Sequence, residues 1–214
     1  ALPFLSVLMP PENPLSSSKN KNDLLKTKRH KTLNEWTCQV AILLRRWIGY
    51  SKEITIVADS AFATYILANV CIDQRIHLVS RMRVDARTFD FPPVNYGKRG
   101  RKRLVGQRLP TFAAMLNDDT LAWESCDLNW YGGIKKSMEF ITGSCLWYGY
   151  GIRPVPIKWV LLRDPKGNLD PLVLFSTNLG SQVLEIVEPF IGRWQIEVTF
   201  EEARRHLGME TQRQ

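Results

Sequence analysis

Between residues 32 and 80 the chain switches repeatedly between two hydrophobic periods, and this alternation restricts the fold more than any other feature. Thr32-Leu33-Asn34-Glu35 has the form of a capping box, in which a hydroxyl and a carboxylate each satisfy a backbone N–H left open at a helix start. Leu33, Trp36, Val40, Leu43, Leu44 and Trp47 continue at helical spacing, so a helix is predicted over 32–48, closed by Gly49. Ile54-Thr55-Ile56-Val57-Ala58 reads as a buried strand, and a helix is predicted near 61–70. A second strand follows at 76–80, with His77 on its less buried side. Helices alternating with apolar strands favour an α/β fold with a parallel-sheet core.

Downstream the pattern changes. Residues 81–111 are basic, and short strands are predicted at 121–125, 134–141, 157–163 and 171–176, the last two flanking a turn at Asp164-Pro165-Lys166-Gly167-Asn168. Helices return near 181–189 and 191–207. The chain therefore divides into a core segment 1–80, a β-rich insertion with a basic loop at 81–180, and a helical segment 181–214. Residues 1–8 form a strand-like apolar run, and 11–31 a polar loop with a basic end at Lys26, Lys28, Arg29 and Lys31. No stretch has the length of a membrane span. The opening run lacks Met and a basic start, so it is not a signal peptide. Beginning at Ala1 and ending at Gln214 without terminal punctuation, the sequence reads as an internal piece of something longer.

Lysine and arginine number 29 against 21 acidic residues, a net charge of +8 that points to a polyanionic partner, most often nucleic acid. A basic enzyme with no such partner is the alternative. The charge concentrates in a glycine-interrupted run carrying Lys98, Arg99, Arg101, Lys102 and Arg103, which is either a phosphate-binding segment or a solvated loop. Cys38, Cys71, Cys126 and Cys145 are scattered without a Cys-x-x-Cys pair, which suits reduced structural thiols rather than zinc or disulfides. The three histidines show no metal-ligand spacing.

Two features carry chemistry. On one helix Phe190, Arg193, Glu197 and Arg204 would fall within about 60° of one another. Arginines there suit phosphates, and the carboxylate suits a hard metal ion. Glu197 also has a plainer reading, as the surface ion-pair partner of Arg193 one turn before it. Asp59 follows strand 54–58 at its carboxyl end, where α/β sheets place their ligands, although an Asp before Ser60 is equally suited to capping the next helix. The two acids together suggest a metal-dependent site acting on nucleic acid.

The segment from Phe190 through Arg193 and Glu197 to Arg204 resembles the Tyr-x2-Arg-x3-Glu-x6-Lys signature of bacterial insertion-sequence transposases of the DDE superfamily. Val57-Ala58-Asp59-Ser60-Ala61-Phe62 is similar to the segment bearing that family's second catalytic aspartate. The resemblance spans essentially the whole chain. It implies an RNase H-like (retroviral-integrase-like) core, incomplete at its N-terminal strands, with a β-rich insertion before the last-acid helix. It further implies Asp59 and Glu197 as catalytic metal ligands for Mg2+ or Mn2+ in a two-metal site with one ligand missing. Phe190, Arg193, Arg204 and the basic run from Lys98 to Arg103 would contact DNA. The implied reaction is metal-dependent strand cleavage and strand transfer, on double-stranded DNA at insertion-sequence ends and target. The implied setting is the bacterial cytoplasm and nucleoid, with a homodimer open to the full-length protein.

Phe190 stands where the family has Tyr, and Arg204 where it has Lys. The family's first aspartate has no counterpart: Asp23 lies in the polar loop, Asn117-Asp118-Asp119-Thr120 reads as a turn after Asp59, and Asp164 as turn chemistry. The expectation is thus an inactive fragment of a transposase. The alternatives are a non-catalytic DNA-binding remnant and another RNase H-like nuclease. Trp123, Trp130, Trp147 and Trp159 of the insertion are open to base stacking or to core packing.

Overall fold

The capping box forms in full. Thr32 N–H donates to Glu35 Oε2 at 2.8 Å, and Glu35 N–H donates to Thr32 Oγ1 at 3.3 Å. They open helix α1, Leu33–Ile48, which closes at Gly49 with a φ of 76° that favours glycine. These contacts come from a computed structural model that describes residues 31–93, 102–130 and 133–207. The expected strand at 1–8, all but the last residue of the polar loop, and Lys98, Arg99 and Arg101 lie outside the described residues.

Strand β1, Ile54–Ala58, runs parallel to β2, Ile76–Met82, with Ile54 opposite Ile76 and Ala58 opposite Ser80. Helix α2, Tyr65–Asp73, makes the crossover. It starts later than 61 because two caps compete. Asp59 Oδ1 accepts from Ser60 N–H at 2.7 Å and winds 60–62 into a short 3-10 turn, and Thr64 Oγ1 then caps α2 through Leu67 N–H.

The two strands of the alternating segment thus pair in parallel, as expected, and parallel pairing stops there. The remaining strands are β3 (Thr88–Phe89), β4 (Glu124–Asn129), β5 (Lys135–Trp147), β6 (Val155–Arg163) and β7 (Leu172–Ser176), with a short helix α3, Phe112–Leu116, before β4. The seven-stranded mixed sheet has the order β1-β2-β7-β6-β5-β3, and β4 joins the same edge of β5 as β3. Every pairing beyond β1–β2 is antiparallel. The cause is connection length: β5–β6 turns through Gly151 at φ 79°, and β6–β7 through Gly167 at φ 68°. Lys166 N–H donates to Asp164 Oδ1 at 3.0 Å, as the turn reading of Asp164 requires. Residues 81–180 thus supply β3–β7 to the sheet that holds β1 and β2, with β7 lying against β2.

Helices cover both faces. On one, α1, α2 and α3 enclose a core of Leu67, Leu78, Phe112, Trp147, Trp159, Leu161 and Phe175. On the other, α4 (Val183–Gly192) sets Ile186, Val187, Phe190 and Ile191 on Val79, Val160, Leu162 and Leu174. Helix α5, Trp194–Leu207, follows and packs chiefly against α4. Among the described residues β1 is an edge strand, and no helix is long and apolar enough to cross a membrane.

One buried side chain has no signal in the sequence. Arg45, 2% exposed, donates to the carbonyl oxygens of Gly49, Lys52, Gln74 and Arg75. It places a cation at the carbonyl-rich C-termini of both α1 and α2, where the helix dipoles favour it.

Candidate functional site

Asp59 leaves the carboxyl end of β1 in extended conformation, at φ −73° and ψ 167°. Its carbonyl accepts from Ser80 Oγ at 3.0 Å, which locks the strand end to β2. The side chain is exposed, and one oxygen serves as the cap described above. Capping and function do not exclude each other here. Oδ2 takes no hydrogen bond among the described residues and faces no cation partner.

The stripe predicted on a single helix is split between two. Pro189 sits inside α4, α4 ends at Gly192, and Arg193 is its C-cap. Arg193 keeps helical dihedrals (φ −55°, ψ −32°), and its N–H reaches Pro189 O at 3.1 Å, so the phase carries into α5. Burial falls along the stripe. Phe190 is 5% exposed inside the core under α4, which corrects its expected place among DNA contacts, because a ring enclosed by Ile186, Val187 and Ile191 offers no face to a phosphate. Arg193 comes next, with 21% of its side chain exposed, and lays its guanidinium 5.5 Å from the Phe190 ring centre. Its Nη1 donates to Glu197 Oε1 at 3.1 Å, whereas its Nε is enclosed and has no acceptor among the described residues. Glu197 is 47% exposed, and Arg204 is exposed farther along α5.

Asp59 and Glu197 share no hydrogen bond or ion pair. Among the described residues no group of three or more His, Cys, Asp or Glu side chains is disposed to hold a metal ion. Two-metal phosphoryl chemistry uses oxygen donors from several carboxylates around ions ~4 Å apart, so the described side chains do not complete such a site. Asp118 and Asp164 do not fill the gap. Asp118 Oδ1 is taken by Thr120 N–H and Oγ1, at 3.0 and 2.6 Å, and these bonds hold its carboxyl below the ordinary range. Asp164 is buried and paired with Lys136 Nζ at 2.8 Å.

Lys102 and Arg103, the described part of the basic run, are exposed. Of the four tryptophans, Trp147 and Trp159 are core residues at 7% and 8% exposure. Trp123 lies under the Arg163 guanidinium at 3.8 Å, and Trp130 lies 5.9 Å from Lys136 Nζ. The four cysteines are free thiols, and burial pushes those of Cys71 and Cys145 up to about 12.

What the sequence reading misses is a cleft beside Asp59, lined by Arg81, Arg83 and Arg87 together with Tyr65, Trp147 and Tyr148. In the sequence the three arginines are only the start of the basic stretch. The aromatic wall comes from residues far apart in the chain, which no local signal joins.

No protein-family model matches this chain, and no curated protein matches it.

Proposed function

We propose that the chain is the DNA-engaging part of a DDE-type transposase with an RNase H-like core. Asp59 and the Arg193–Glu197–Arg204 stripe belong to its working surface. The observation that carries this reading is Arg193. A guanidinium oriented by Glu197 and by the Phe190 ring keeps 21% of its side chain exposed. The exposed part of a fork ordered in advance can meet a ligand oxygen at little entropic cost. A phosphate supplies it together with the opposite charge.

The parallel β1–α2–β2 unit with an exposed acid at its strand end supports the same reading, because α/β sheets carry ligands at that end. Asp59 and Glu197 would hold Mg2+ or Mn2+, and the ions would supply activation of the attacking oxygen and stabilisation of the leaving one. The chain's own part is to bind and orient. Arg193 and Arg204 hold backbone phosphates, Lys102 and Arg103 add contacts that carry no sequence information, and Asp59 offers one free oxygen at the strand end. DNA binding without cleavage is the second reading. It is favoured by the missing third carboxylate among the described residues.

Fluorescence anisotropy with labelled duplex DNA over a salt series tests the proposal. We expect log K to fall steeply with log salt, and Arg193→Gln with Arg204→Gln to flatten that slope by ~1.8, at ~0.9 for each duplex phosphate no longer neutralised. A slope unmoved by the double variant removes the stripe from the DNA surface. Incubation of supercoiled plasmid with this chain and Mn2+ separates the two readings: nicking abolished by Asp59→Ala supports the enzyme, and intact plasmid supports the binding protein.

A further inference from the structure

We propose that the outward face of α1 is a self-association surface, on which α1 of a second copy of this chain packs antiparallel. The inference is independent of the DNA reading and concerns the sheet face opposite α4. Leu33, Trp36, Val40, Leu43 and Trp47 recur at intervals of three, four, three and four residues. That is the repeat by which two helices interlock side chains along a shared seam. At ~100° per residue the five side chains fall within about 80° of one another.

The helix meets its own fold through a different face. Cys38, Ala41 and Arg45, the residues it buries, lie about 150° round the helix from this seam. Among the described residues, no side chain of the seam belongs to either core cluster or packs on one. Leu33 and Trp47 are 43% and 57% exposed, and Trp36, Val40 and Leu43 are half-buried. An apolar stripe of this kind on a folded surface marks an association site.

A second α1 fits the stripe in shape and in charge. No side chain of the seam is charged, so two copies can face each other without burying an ion. In the antiparallel register with the longest overlap, Val40 meets the partner's Leu43 and Trp36 meets the partner's Trp47. Leu33 then reaches the level of the partner's Tyr50, a ring 62% exposed just past the helix. Glu35 lies in the first turn of α1 and Arg46 in the last. Antiparallel pairing therefore brings acid beside base and opposes the two helix dipoles, whereas parallel pairing sets like beside like. One two-fold axis satisfies both faces at once. A helix of 16 residues presents a face about 24 Å by 10 Å, which keeps the contact below the ~1,200 Å2 of standard complexes. The dimer is accordingly reversible and concentration-dependent.

The test is sedimentation velocity on the full chain from ~1 to ~200 µM, a range that brackets weak association. A monomer at the low end and a dimer at the high end are expected. Trp47→Lys, at an exposed position, should weaken the dimer at least ~tenfold, because the two-fold removes a buried aromatic anchor twice. Ile42→Lys, also exposed but about 140° round the helix from the seam, should leave the dimer unchanged. Thermal melts of each variant check that the fold is intact. Oxidised glutathione, reduced as the protein thiols pair, tests the register. A mixture of Val40→Cys and Leu43→Cys chains should form a disulfide-linked dimer that the parent chain does not. Leu33→Cys alone should form none, since its two copies would lie ~25 Å apart, beyond the reach of a disulfide. A monomer at every concentration, a dimer that survives Trp47→Lys, or one that Ile42→Lys weakens equally overturns the proposal. So does a Leu33→Cys disulfide, which would mark parallel pairing. None of these outcomes bears on the Arg193 stripe.

Discussion

The two helical flanks of the sheet are built on different terms. On the α1–α2 flank, Arg45 ties the ends of both helices to the turn before β2, and Leu67, Ala68 and Cys71 of α2 are fully enclosed. On the opposite flank α5 holds itself largely by local means. Arg193–Glu197, Glu201–Arg205 and Glu202–His206 pair one turn apart along its surface. Its large apolar side chains stay wet, with Trp194, Ile196, Val198 and Phe200 at 49%, 44%, 45% and 38% exposed, and only the small Ala203 is buried among its described residues. Exposed one-turn pairs contribute only ~0.3–0.5 kcal/mol each. Stability is therefore concentrated in α1, α2, α4 and the central strands, while Glu197 and Arg204 ride on α5 and Arg193 sits at the junction that leads into it. Loosely tied elements are where binding surfaces commonly lie, because changes there leave the fold standing.

The sharpest way to break this comparison is to truncate one large ring on each flank. Phe175→Ala in β7, fully buried against Trp147, should cost ~3–5 kcal/mol in urea unfolding. Phe200→Ala on α5 should cost no more than ~1 kcal/mol. Similar costs at the two sites would mean that α5 is as much part of the folded core as β7.

Arg45 comes next. Arg45→Met keeps the length of the chain but leaves four carbonyl oxygens without their donor, and we expect destabilisation by ~3 kcal/mol. Arg45→Lys should recover little of it, since one ammonium cannot reproduce a planar fork that serves both helix ends. Full recovery with Lys would show that charge alone, and not the geometry of the guanidinium, holds this flank together.

Arg45 also shows what the sequence conceals. The large apolar residues of α1 suggest a stripe, yet Trp47 is 57% and Leu33 43% exposed, and the residues that are enclosed are the smaller Cys38 and Ala41 together with Arg45. Helical period was legible; the face was not, because close packing of α1 on α2 selects small side chains over bulky ones. The same limit explains the sheet. Strand positions such as 54–58 follow from local composition, but β5 extends to Trp147 because β6 on one edge and β3 and β4 on the other pair with it. Partners of that kind are set by distant segments. At the site, Asp59 at a strand end and Arg193 beside Glu197 were readable from spacing. The burial of Phe190 was not, since its neighbours Val79 and Leu174 come from other strands.

A smaller effect probes the centre of the sheet. A Cβ at Gly143 in β5 would lie 2.8 Å from Trp159 Cζ2, and Trp159 is itself packed edge-on against Phe112 at 5.2 Å. Gly143→Ala should therefore cost ~1–3 kcal/mol, as overpacking does in a close-packed core. The corresponding change Gly192→Ala at the α4–α5 junction meets nothing within 4 Å and should be neutral or slightly stabilising. If both substitutions were neutral, the Trp159 ring would have room to move and this part of the sheet would be no tighter than the junction.

The smallest effect depends on pH. Asp164, 6% exposed, forms an ion pair with Lys136 Nζ at 2.8 Å and accepts from Lys166 N–H at 3.0 Å, and the ammonium holds its carboxyl below the ordinary carboxylate range. A carboxyl whose pKa is depressed by folding adds stability that is fully present above its unfolded value of ~3.9 and disappears as pH falls through the folded value. Asp164→Asn should lower the melting temperature at neutral pH, and the gap from the parent chain should narrow as pH falls below ~4. Glu197→Gln, which removes the exposed pair on α5, should shift stability by no more than ~0.5 kcal/mol at neutral pH. Melting curves recorded across the acid range decide the matter. A gap for Asp164→Asn that stayed constant through that range would show that the turn needs the shape of the side chain and not its charge. The β6–β7 turn would then be held, like α5, by local hydrogen bonding alone.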